Sequence, residues 1–464
     1  MPHRPIGPHQ PIAVRHPVAT HSVTRVAFSL LVAALCLLLG ACSPVAPEPG
    51  PRHAVAPTAP IDPAQPCVRA TAPAPDPGGQ PAPVGLEAGF DRVANTIVLS
   101  AGKGVTLPAL SQTIDDPAAL RELAPGEWLL GANLEVLAGA SLRIAAPGVR
   151  WLKMSSGTGG FVSVTALGGG LDISGACITS WDTEQRRVDV KYRDGRSFLL
   201  AREGAQMTID RAELRYLGHG DVASWGLSWR MEGTGGGITN SVVSHNYFGL
   251  YAFEVGGLVV ADNEFHDSVL YGIDAHTRSH DLRIERNVVH HNGKHGIVLA
   301  EDCTDSVIRG NVVYSNGHHG LVLYLRSDRN LVEQNESFRN AAQGININES
   351  SDNIVRANRV YDNVESGVGV GQIAKNNLLE GNEIRDNQQD GVRLFSDATQ
   401  TDVWDNVIGE NVRYGVYVDS DGAFSLAGNT VFGSRAGVLL KGAAAVPVGD
   451  NEFYDNREGD LKTG

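Results

Sequence analysis

The stretch GIVLAEDCTDSVIRGNVVYSNGHH (296–319) is followed directly by GLVLYLRSDRNLVEQNESFRNAAQ (320–343), which has the same length and the same pattern. In both copies a glycine precedes alternating apolar residues, and two asparagines lie at matching positions. The glycine recurs at intervals of 22 to 24 residues, at Gly226, Gly249, Gly272, Gly296, Gly320, Gly344, Gly367, Gly391, Gly415 and Gly437. The second half of the 464-residue chain is therefore an array of repeats.

Each glycine introduces a short strand with one buried face. Ile297 and Leu299, and then Leu321 and Leu323, illustrate the alternation. No amphipathic helix separates the repeats, which excludes a βαβ array, and the Leu-x-x-Leu-x-Leu frame of leucine-rich repeats is absent. A unit of 23 or 24 residues cannot bury an apolar face alone, but copies stacked about 4.8 Å apart form parallel strands around one core. The predicted fold class is all-β, a right-handed parallel β-helix.

Two asparagine series run in phase with the glycines. In such a solenoid they fall at turns, where identical amides hydrogen-bond from coil to coil. The first series is Asn263, Asn287, Asn311, Asn335, Asn358, Asn382, Asn406, Asn429 and Asn451, and the second is Asn292, Asn316, Asn340, Asn363, Asn387 and Asn411. We expect both to be structural.

The composition divides the chain into four regions. Residues 1–42 contain an apolar run ending in Leu-Gly-Ala-Cys, which predicts a lipoprotein signal peptide with lipid on Cys42. Residues 43–85 are rich in proline and alanine and predict a semi-extended linker. Residues 86–130 are poorly periodic and predict an N-terminal cap, with a short helix in DDPAALREL (115–123). Residues 131–464 form the β-helix domain. The protein is therefore expected to be exported and anchored to a membrane.

The net charge limits the possible binding partners, and the cysteine positions limit the possible disulfides and metal sites. The net charge of −14 and the lack of a basic stripe argue against a nucleic-acid partner. Beyond Cys36 and Cys42, the three remaining cysteines do not form a disulfide framework or a metal motif, so Cys177 and Cys303 are predicted to be buried thiols.

The alternation also assigns side chains to the outer face of the strands. Side chains at the first and third positions after each glycine point inward, and those at the second and fourth positions point outward. The outward pairs on successive coils are Ser228/Arg230, Tyr251/Phe253, Asp274/His276, Val298/Ala300, Val322/Tyr324 and Asn346/Asn348. This face carries aromatic, amide, acidic and basic side chains together, which favours a groove for an extended sugar chain over a merely solvated surface.

Residues YGIDAHTRSHDL (271–282), RSFLLA (196–201), SWGLS (224–228) and FGLY with GGLVVADN (248–263) resemble the mannuronan C5-epimerases of bacterial alginate biosynthesis. The resemblance covers roughly 125–415. It implies a right-handed β-helix that converts mannuronate to guluronate residues within a polymer. The family motif is Asp-Pro-His-Asp, whose histidine is the proposed base, and an arginine on the next coil neutralises the substrate carboxylate.

Carried onto this chain, the resemblance makes Asp274 and His276 the catalytic residues. Ala275 replaces the proline, Thr277 replaces the second aspartate, and Glu301 stands where the arginine belongs. Because a glutamate repels the charge that develops on a uronate carboxylate, the cation must come from elsewhere or the substrate must differ. Arg326 and Arg230 are the candidate cations. The predicted substrate-binding set is Arg230, Tyr251, Phe253, Thr277, Glu301, Tyr324, Arg326, Asn346 and Asn348.

Three functions remain open from the sequence. The first is an epimerase acting on a uronate-containing polymer, the second a lyase in which Tyr251 or Tyr324 acts as acid, and the third a non-catalytic polysaccharide-binding or assembly protein. Each of these three functions is compatible with a partner in an exopolysaccharide synthesis or export complex. No cofactor is expected. The turn histidines His290, His291, His295, His318 and His319 lack metal-ligand spacing and are expected to be solvated, with metal binding as the alternative.

Overall fold

The computed structural model describes Cys67 and residues 85–221, 223–441 and 447–464. The predicted signal peptide, Cys42 and most of the linker lie outside the described residues. The described part has one helix, α1 (Leu107–Ile114), and forty-five strands that form three sheets. None of its helices is long and apolar enough to cross a membrane.

Sheet 1 carries the strands that follow the repeated glycines. Strands are numbered in chain order, and those of sheet 1, in the order of their pairing, are β1 (Glu87–Asp91), β2 (Thr96–Ala101), β6 (Asn133–Leu137), β9 (Ser163–Leu167), β13 (Phe198–Arg202), β16 (Gly226–Arg230), β19 (Phe248–Phe253), β22 (Ile273–His276), β25 (Ile297–Ala300), β28 (Leu321–Tyr324), β31 (Ile345–Asn348), β34 (Val368–Gly371), β37 (Val392–Phe395), β40 (Tyr414–Asp419), β43 (Ala436–Lys441) and β45 (Leu461–Thr463).

Sheet 2 contains the second strand of each coil. Its strands are β3 (Val105–Thr106), β7 (Ser141–Ala145), β10 (Gly170–Ser174), β14 (Gln206–Asp210), β17 (Gly235–Thr239), β20 (Val259–Ala261), β23 (Arg283–Glu285), β26 (Val307–Arg309), β29 (Leu331–Glu333), β32 (Ile354–Arg356), β35 (Leu378–Glu380), β38 (Thr401–Trp404) and β41 (Phe424–Ala427).

Sheet 3 contains the third strand. Its strands are β4 (Leu120–Ala124), β5 (Glu127–Leu130), β8 (Trp151–Ser156), β11 (Cys177–Asp182), β15 (Glu213–Arg215), β18 (Val242–Ser244), β21 (Glu264–His266), β24 (Val288–His290), β27 (Val312–Tyr314), β30 (Glu336–Phe338), β33 (Arg359–Tyr361), β36 (Glu383–Arg385), β39 (Val407–Gly409), β42 (Thr430–Phe432) and β44 (Glu452–Tyr454), with β12 (Arg187–Val188) paired to β11.

The three sheets enclose one apolar core, which confirms the parallel β-helix. Within the repeats the coils pair in parallel and in register, as Ile297 with Leu321 and Leu299 with Leu323. All four of these side chains are at most 1 % exposed. The stacking therefore buries a face that no single coil could bury.

The glycine row runs without interruption from Gly249 to Gly437 and marks a tight corner of each coil. A Cβ added at Gly272 would lie 2.7 Å from the carbonyl oxygen of Gly296, and one at Gly296 would meet Gly320 in the same way. Gly226 is displaced from the row because the register shifts there and it pairs with Phe248. Backbone crowding between coils thus explains the repeated glycine.

Both asparagine series form buried ladders, as predicted. Asn287 donates through Nδ2 to Asn311 Oδ1 at 3.0 Å and to the carbonyl oxygen of Val260 at 2.9 Å. The second series behaves alike, with Asn316 donating to Asn340 at 3.0 Å. Each amide satisfies a turn carbonyl and the amide of the next coil, so the ladders hold the turns in register.

The helix of the N-terminal region lies upstream of its predicted place. Thr106 caps α1, with Oγ1 accepting from the amide of Ala109 at 3.4 Å, and the left-handed backbone of Asp115 ends it. The prediction of a helix in DDPAALREL (115–123) was wrong, because Leu120–Ala124 instead pairs antiparallel with Glu127–Leu130. Parallel pairing begins already with Thr96–Leu99, and α1 is an insertion in this first coil.

The two buried thiols predicted from the sequence have different outcomes. Cys303 is a free, fully buried cysteine, as expected. Cys177 instead forms a disulfide with Cys67, 110 residues away, so the prediction for Cys177 was wrong. Sequence spacing could not reveal the pair, since Cys67 belongs to the proline-rich linker rather than to a coil.

Candidate functional site

A cavity of about 500 Å³ lies on the outer face of sheet 1. The described residues that line it are Trp225, Phe248, Tyr251, Tyr271, Asp274, His276, Lys294, His295, Val298, Ala300, His318, His319, Val322, Tyr324, Asn346 and Asn348. The cavity thus brings together six of the eleven residues predicted to be catalytic or substrate-binding. The other five, Arg230, Phe253, Thr277, Glu301 and Arg326, do not line it.

The strand β22 positions the two central side chains. Ile273 and Ala275 point into the core and are at most 1 % exposed, which directs Asp274 and His276 to the outer face. In register, Asp274 lies between Tyr251 and Val298 of the adjacent coils. The apolar floor beside them is formed by Val298, Ala300 and Val322.

The imidazole of His276 is held by a chain of hydrogen bonds. Thr277 Oγ1 donates to Glu301 Oε2 at 2.9 Å, and His276 Nδ1 lies 2.8 Å from the same Thr277 Oγ1. Since the hydroxyl hydrogen is committed to Glu301, Nδ1–H of His276 donates to the hydroxyl oxygen. The neutral ring therefore keeps its lone pair on Nε2. Asp274 does not take part in the chain.

Strain accompanies this arrangement. Thr277 has φ of +36° and Glu301 has φ of +59°, both in the left-handed region. A β-branched residue rarely adopts that backbone, and left-handed geometry costs about 1–2 kcal/mol per residue. The fold tolerates the cost at the point where the hydroxyl reaches both His276 and Glu301.

The environment tunes the proton affinity of His276. Burial lowers the pKa of the imidazole, and the negative charge of Glu301 partly offsets that effect. The ring is therefore mainly neutral at neutral pH, the state in which a histidine accepts a proton.

Asp274 is an outward-facing but buried carboxyl group. Only 2 % of the residue is exposed, and its Oδ1 has no hydrogen-bond partner among the described residues. Burial raises the pKa of Asp274 to about 8, against the pull of the Lys294 charge and with a further rise from Glu301. Asp274 is accordingly a neutral carboxylic acid at neutral pH, able to donate a hydrogen bond.

The two arginines considered as cations are engaged elsewhere. Arg326 makes a two-pronged ion pair with Asp302, at 2.6 and 2.8 Å, in an exposed turn. Arg230 lies against three aromatic rings, 5.1 Å from Trp225, 4.7 Å from Tyr251 and 5.8 Å from Phe253. Its guanidinium therefore packs against these aromatic rings and does not line the cavity.

The sequence reasoning missed Lys294. Its Nζ donates to Tyr271 Oη at 2.9 Å and lies 5.2 Å from the centre of that ring. Lys294 is the only lysine or arginine among the described residues that line the cavity. It lies two residues before Gly296, in a turn that the alternation rule did not cover, and extending the outward rows upstream of each glycine would have found it.

The turn histidines are less solvated than predicted. His290 is 1 % exposed and stacks between His266 and Tyr314, at 5.1 and 4.7 Å between ring centres, so the expectation was wrong for this residue. His295 and His319 also stack, at 5.2 Å.

Two groups of potential metal ligands occur in the described residues, each with its atoms within 4.8 Å. They are His295, His318 and His319, which line the cavity, and His245, His266 and Asp267 on sheet 3. In the first group, Nδ1 of His295 and His319 accepts backbone hydrogen bonds. Their neutral rings must then carry hydrogen on Nε2, which leaves no lone pair there for a metal.

Comparison with known proteins places the site in context. Over 266 residues the chain is 31 % identical to a mannuronan C5-epimerase of Pseudomonas putida, covering 54 % of this chain and 50 % of that protein. It is 29 % identical over 262 residues to a mannuronan C5-epimerase of Azotobacter vinelandii, covering 53 % and 49 %. The chain thus spans about half the length of the curated relatives it matches.

The fold has a match among solved structures. A crystal structure of a point mutant of the periplasmic alginate epimerase AlgG superimposes with a TM-score of 0.63 at 22 % identity, covering 79 % of this chain and 85 % of that one. The family described as right handed beta helix region matches residues 178–337 and 304–457, more than half of the chain. With its three parallel sheets, one core and in-register coils, this chain belongs to the right-handed β-helix family.

Proposed function

We propose that the protein is a C5-epimerase-like isomerase that acts on residues of a uronate-containing polysaccharide. The observation that carries the proposal is the hydrogen-bond chain from Glu301 through Thr277 to His276, which leaves Nε2 as a free base in the cavity. The similarity to proteins named mannuronan C5-epimerase supports a polyuronate such as alginate as the substrate.

The proposed reaction begins with His276. Its Nε2 takes the hydrogen from C5 of a uronate residue, and the electron pair of the broken C–H bond moves toward the carboxylate to give an enediolate. Delivery of a proton to the opposite face of C5 then inverts the centre. Asp274 and Tyr251 are both protonated at neutral pH, because burial raises the pKa of each. Both line the cavity and are candidate donors.

The location we propose is extracytoplasmic, with a lipid on Cys42. The disulfide between Cys67 and Cys177 supports an oxidising compartment, where such bonds persist. The similar fold of a periplasmic epimerase agrees with this location. A membrane-attached polymer-modifying protein would act beside an exopolysaccharide synthesis or export complex.

Incubation with polymannuronate in deuterated water tests the reaction. The expected product is guluronate that carries deuterium at C5, detected by NMR, and His276→Ala should abolish its formation while leaving polymer binding nearly unchanged. His280→Ala, which removes a half-exposed histidine paired with Asp281 outside the cavity, is the matched control and should retain activity.

Other outcomes would replace the proposal. Unsaturated chain ends absorbing in the ultraviolet would identify a lyase, with Tyr251 or Tyr324 as the acid. Polymer binding with neither product would identify a non-catalytic binding protein. Epimerisation that survives in His276→Ala would overturn the assignment of the base.

A further inference from the structure

A second group of polar side chains lines the cavity beside the base. Lys294 and His295 lie on one coil and His319 lies one coil further on, and all three line the cavity with His276 and Asp274. The Lys294 charge acts on Asp274 in the same cavity, where it opposes the rise that burial causes in the pKa of that carboxyl group. The hydrogen bond to Tyr271 Oη holds the ammonium in place and leaves it two further N–H groups.

The two histidines are fixed as neutral hydrogen-bond donors. His295 Nδ1 accepts from the backbone N–H of His319 at 3.3 Å, and His319 Nδ1 accepts from the backbone N–H of Gln343 at 3.1 Å. Burial lowers the pKa of His295 to about 2 and that of His319 to about 3, so neither ring takes a second proton at neutral pH. Each ring therefore presents Nε2–H on the side opposite its backbone contact.

We propose that Lys294, together with the Nε2–H groups of His295 and His319, forms the subsite that binds the carboxylate of a uronate residue. The proposal rests on the function proposed above. A planar carboxylate accepts several hydrogen bonds at once, and the combination of one ammonium with fixed neutral donors matches it. The subsite supplies the cation that Glu301 cannot provide.

The arrangement separates two tasks that would conflict in one residue. Glu301 lies outside the cavity lining and acts on His276 through Thr277, so its negative charge serves the base. Lys294 and the two histidines lie inside and would stabilise the charge that grows on the carboxylate as C5 loses its proton. Donors fixed before the reaction starts are the most effective for this purpose.

Binding of carboxylate-bearing and carboxyl-reduced polymer tests the subsite. Calorimetry at pH 7 should show that the protein binds mannuronate oligomers at least tenfold more tightly than the same oligomers with each carboxylate reduced to a primary alcohol. Lys294→Met should remove most of this difference, because a charge-assisted hydrogen bond is lost. Lys294→Arg should retain part of it.

Controls address folding and the role of the histidines. Lys375→Met removes an exposed lysine of another turn and should bind like the unmodified protein. His319→Phe keeps a ring for stacking but removes the donor, and should weaken binding to the carboxylate form alone. Melting temperatures of all variants identify any loss of folding, and the Lys294→Arg and His319→Phe results then decide the proposal.

The outcomes separate this proposal from the function. If the unmodified protein binds through Lys294 but does not exchange hydrogen at C5, the subsite stands and the epimerase function falls. If it epimerises while Lys294→Met changes neither binding nor rate, the function stands and the subsite is overturned. Tight zinc binding that His295→Ala abolishes would also overturn it, because that requires a lone pair on Nε2.

Discussion

The proton on His276 determines what the cavity can do. His276 donates its Nδ1–H to Thr277 Oγ1, and Glu301 fixes the direction of the threonine hydroxyl, so the basic nitrogen of the ring is Nε2. An arginine at position 301 would leave this hydroxyl without its acceptor. The glutamate is thus consistent with a site in which the orientation of the base and the neutralisation of the substrate are assigned to different side chains.

The charge of Glu301 should be visible in the pH dependence of turnover. Glu301 raises the pKa of His276 against the larger effect of burial. In the proposed reaction the active form of His276 is neutral, so activity is expected to fall as pH drops through this pKa. Glu301→Gln still accepts the Thr277 hydrogen but lacks the charge. We expect the acid limb to move to lower pH and kcat to fall by roughly tenfold, as general-base strength decreases. An unchanged acid limb would contradict the electrostatic role.

Thr277 allows stability and activity to be separated. Thr277→Gly relieves a left-handed backbone but loses the hydroxyl, and the relief is partly cancelled by the entropy of glycine. We expect the free energy of unfolding to stay equal or rise by up to about 1 kcal/mol while kcat falls. Thr277→Ser keeps the hydroxyl and is the control. Full activity of the glycine variant in the epimerase assay would show that the hydrogen-bond chain is dispensable.

Asp274 should make the protein less stable as the pH rises. Its pKa is about 8 in the folded protein and near 3.8 when exposed, so between these values unfolding releases a proton. Stability therefore declines across this window, and each unit of pKa difference corresponds to about 1.4 kcal/mol. Asp274→Asn should lack this component, and its melting temperature should exceed that of the unmodified protein increasingly from pH 4 to pH 8. If the melting temperatures of the two proteins instead change in parallel with pH, Asp274 ionises in the folded protein as it does when exposed.

Residue-level prediction from the sequence succeeded where strand alternation applies. Asp274 and His276 lie on a strand, and period-two geometry directed them outward as expected. The hydrogen-bond chain and Lys294 depend instead on turn residues, whose directions follow from left-handed backbone angles and contacts between coils. Sequence periodicity carries no information on those directions, so the cation was sought at Arg326 and Arg230.

At the scale of strands and turns, the fold could be predicted because the sequence repeats. Identical asparagines and glycines recur because each coil meets the same neighbour geometry, as the amide ladders and the glycine corners demonstrate. The first coil offered no such signal. Its helix follows from a local cap at Thr106 and an insertion between strands, features that occur once and leave no periodic trace.

Stacking of inward side chains predicts a large effect of one buried charge. Ile297 is fully buried between Ile273 and Leu321 of the neighbouring coils. Ile297→Asp should destabilise the protein by on the order of 4 kcal/mol or more, measured by denaturant unfolding, because an unpaired charge enters the core. Val307→Asp is the control, since Val307 is partly exposed on the outer face of sheet 2. Equal losses in both variants would contradict the assignment of faces.

At the scale of the whole protein, attachment to the membrane can be tested through Cys42. Cys42→Ser removes the thiol that would carry the lipid, so the variant should move from membrane to soluble fractions. Cys36→Ser, which changes a cysteine within the apolar run of the signal, should leave the distribution as it is. Immunoblotting of the membrane and soluble fractions measures the distribution. If Cys42→Ser remains in the membrane fraction, the protein has a different anchor.

If Cys42 carries the proposed lipid, the disulfide between Cys67 and Cys177 also limits how far the cavity can lie from the membrane. Without the disulfide, about 43 residues would separate a lipidated Cys42 from the start of the solenoid near residue 85. A chain of that length could reach at most roughly 150 Å. The disulfide attaches the chain to the solenoid at residue 67. About 25 residues then separate Cys42 from the point of attachment, and their maximum reach is roughly 85 Å. Reduction of one bond would therefore enlarge the volume of polymer that an anchored molecule can search, without any change in the cavity itself.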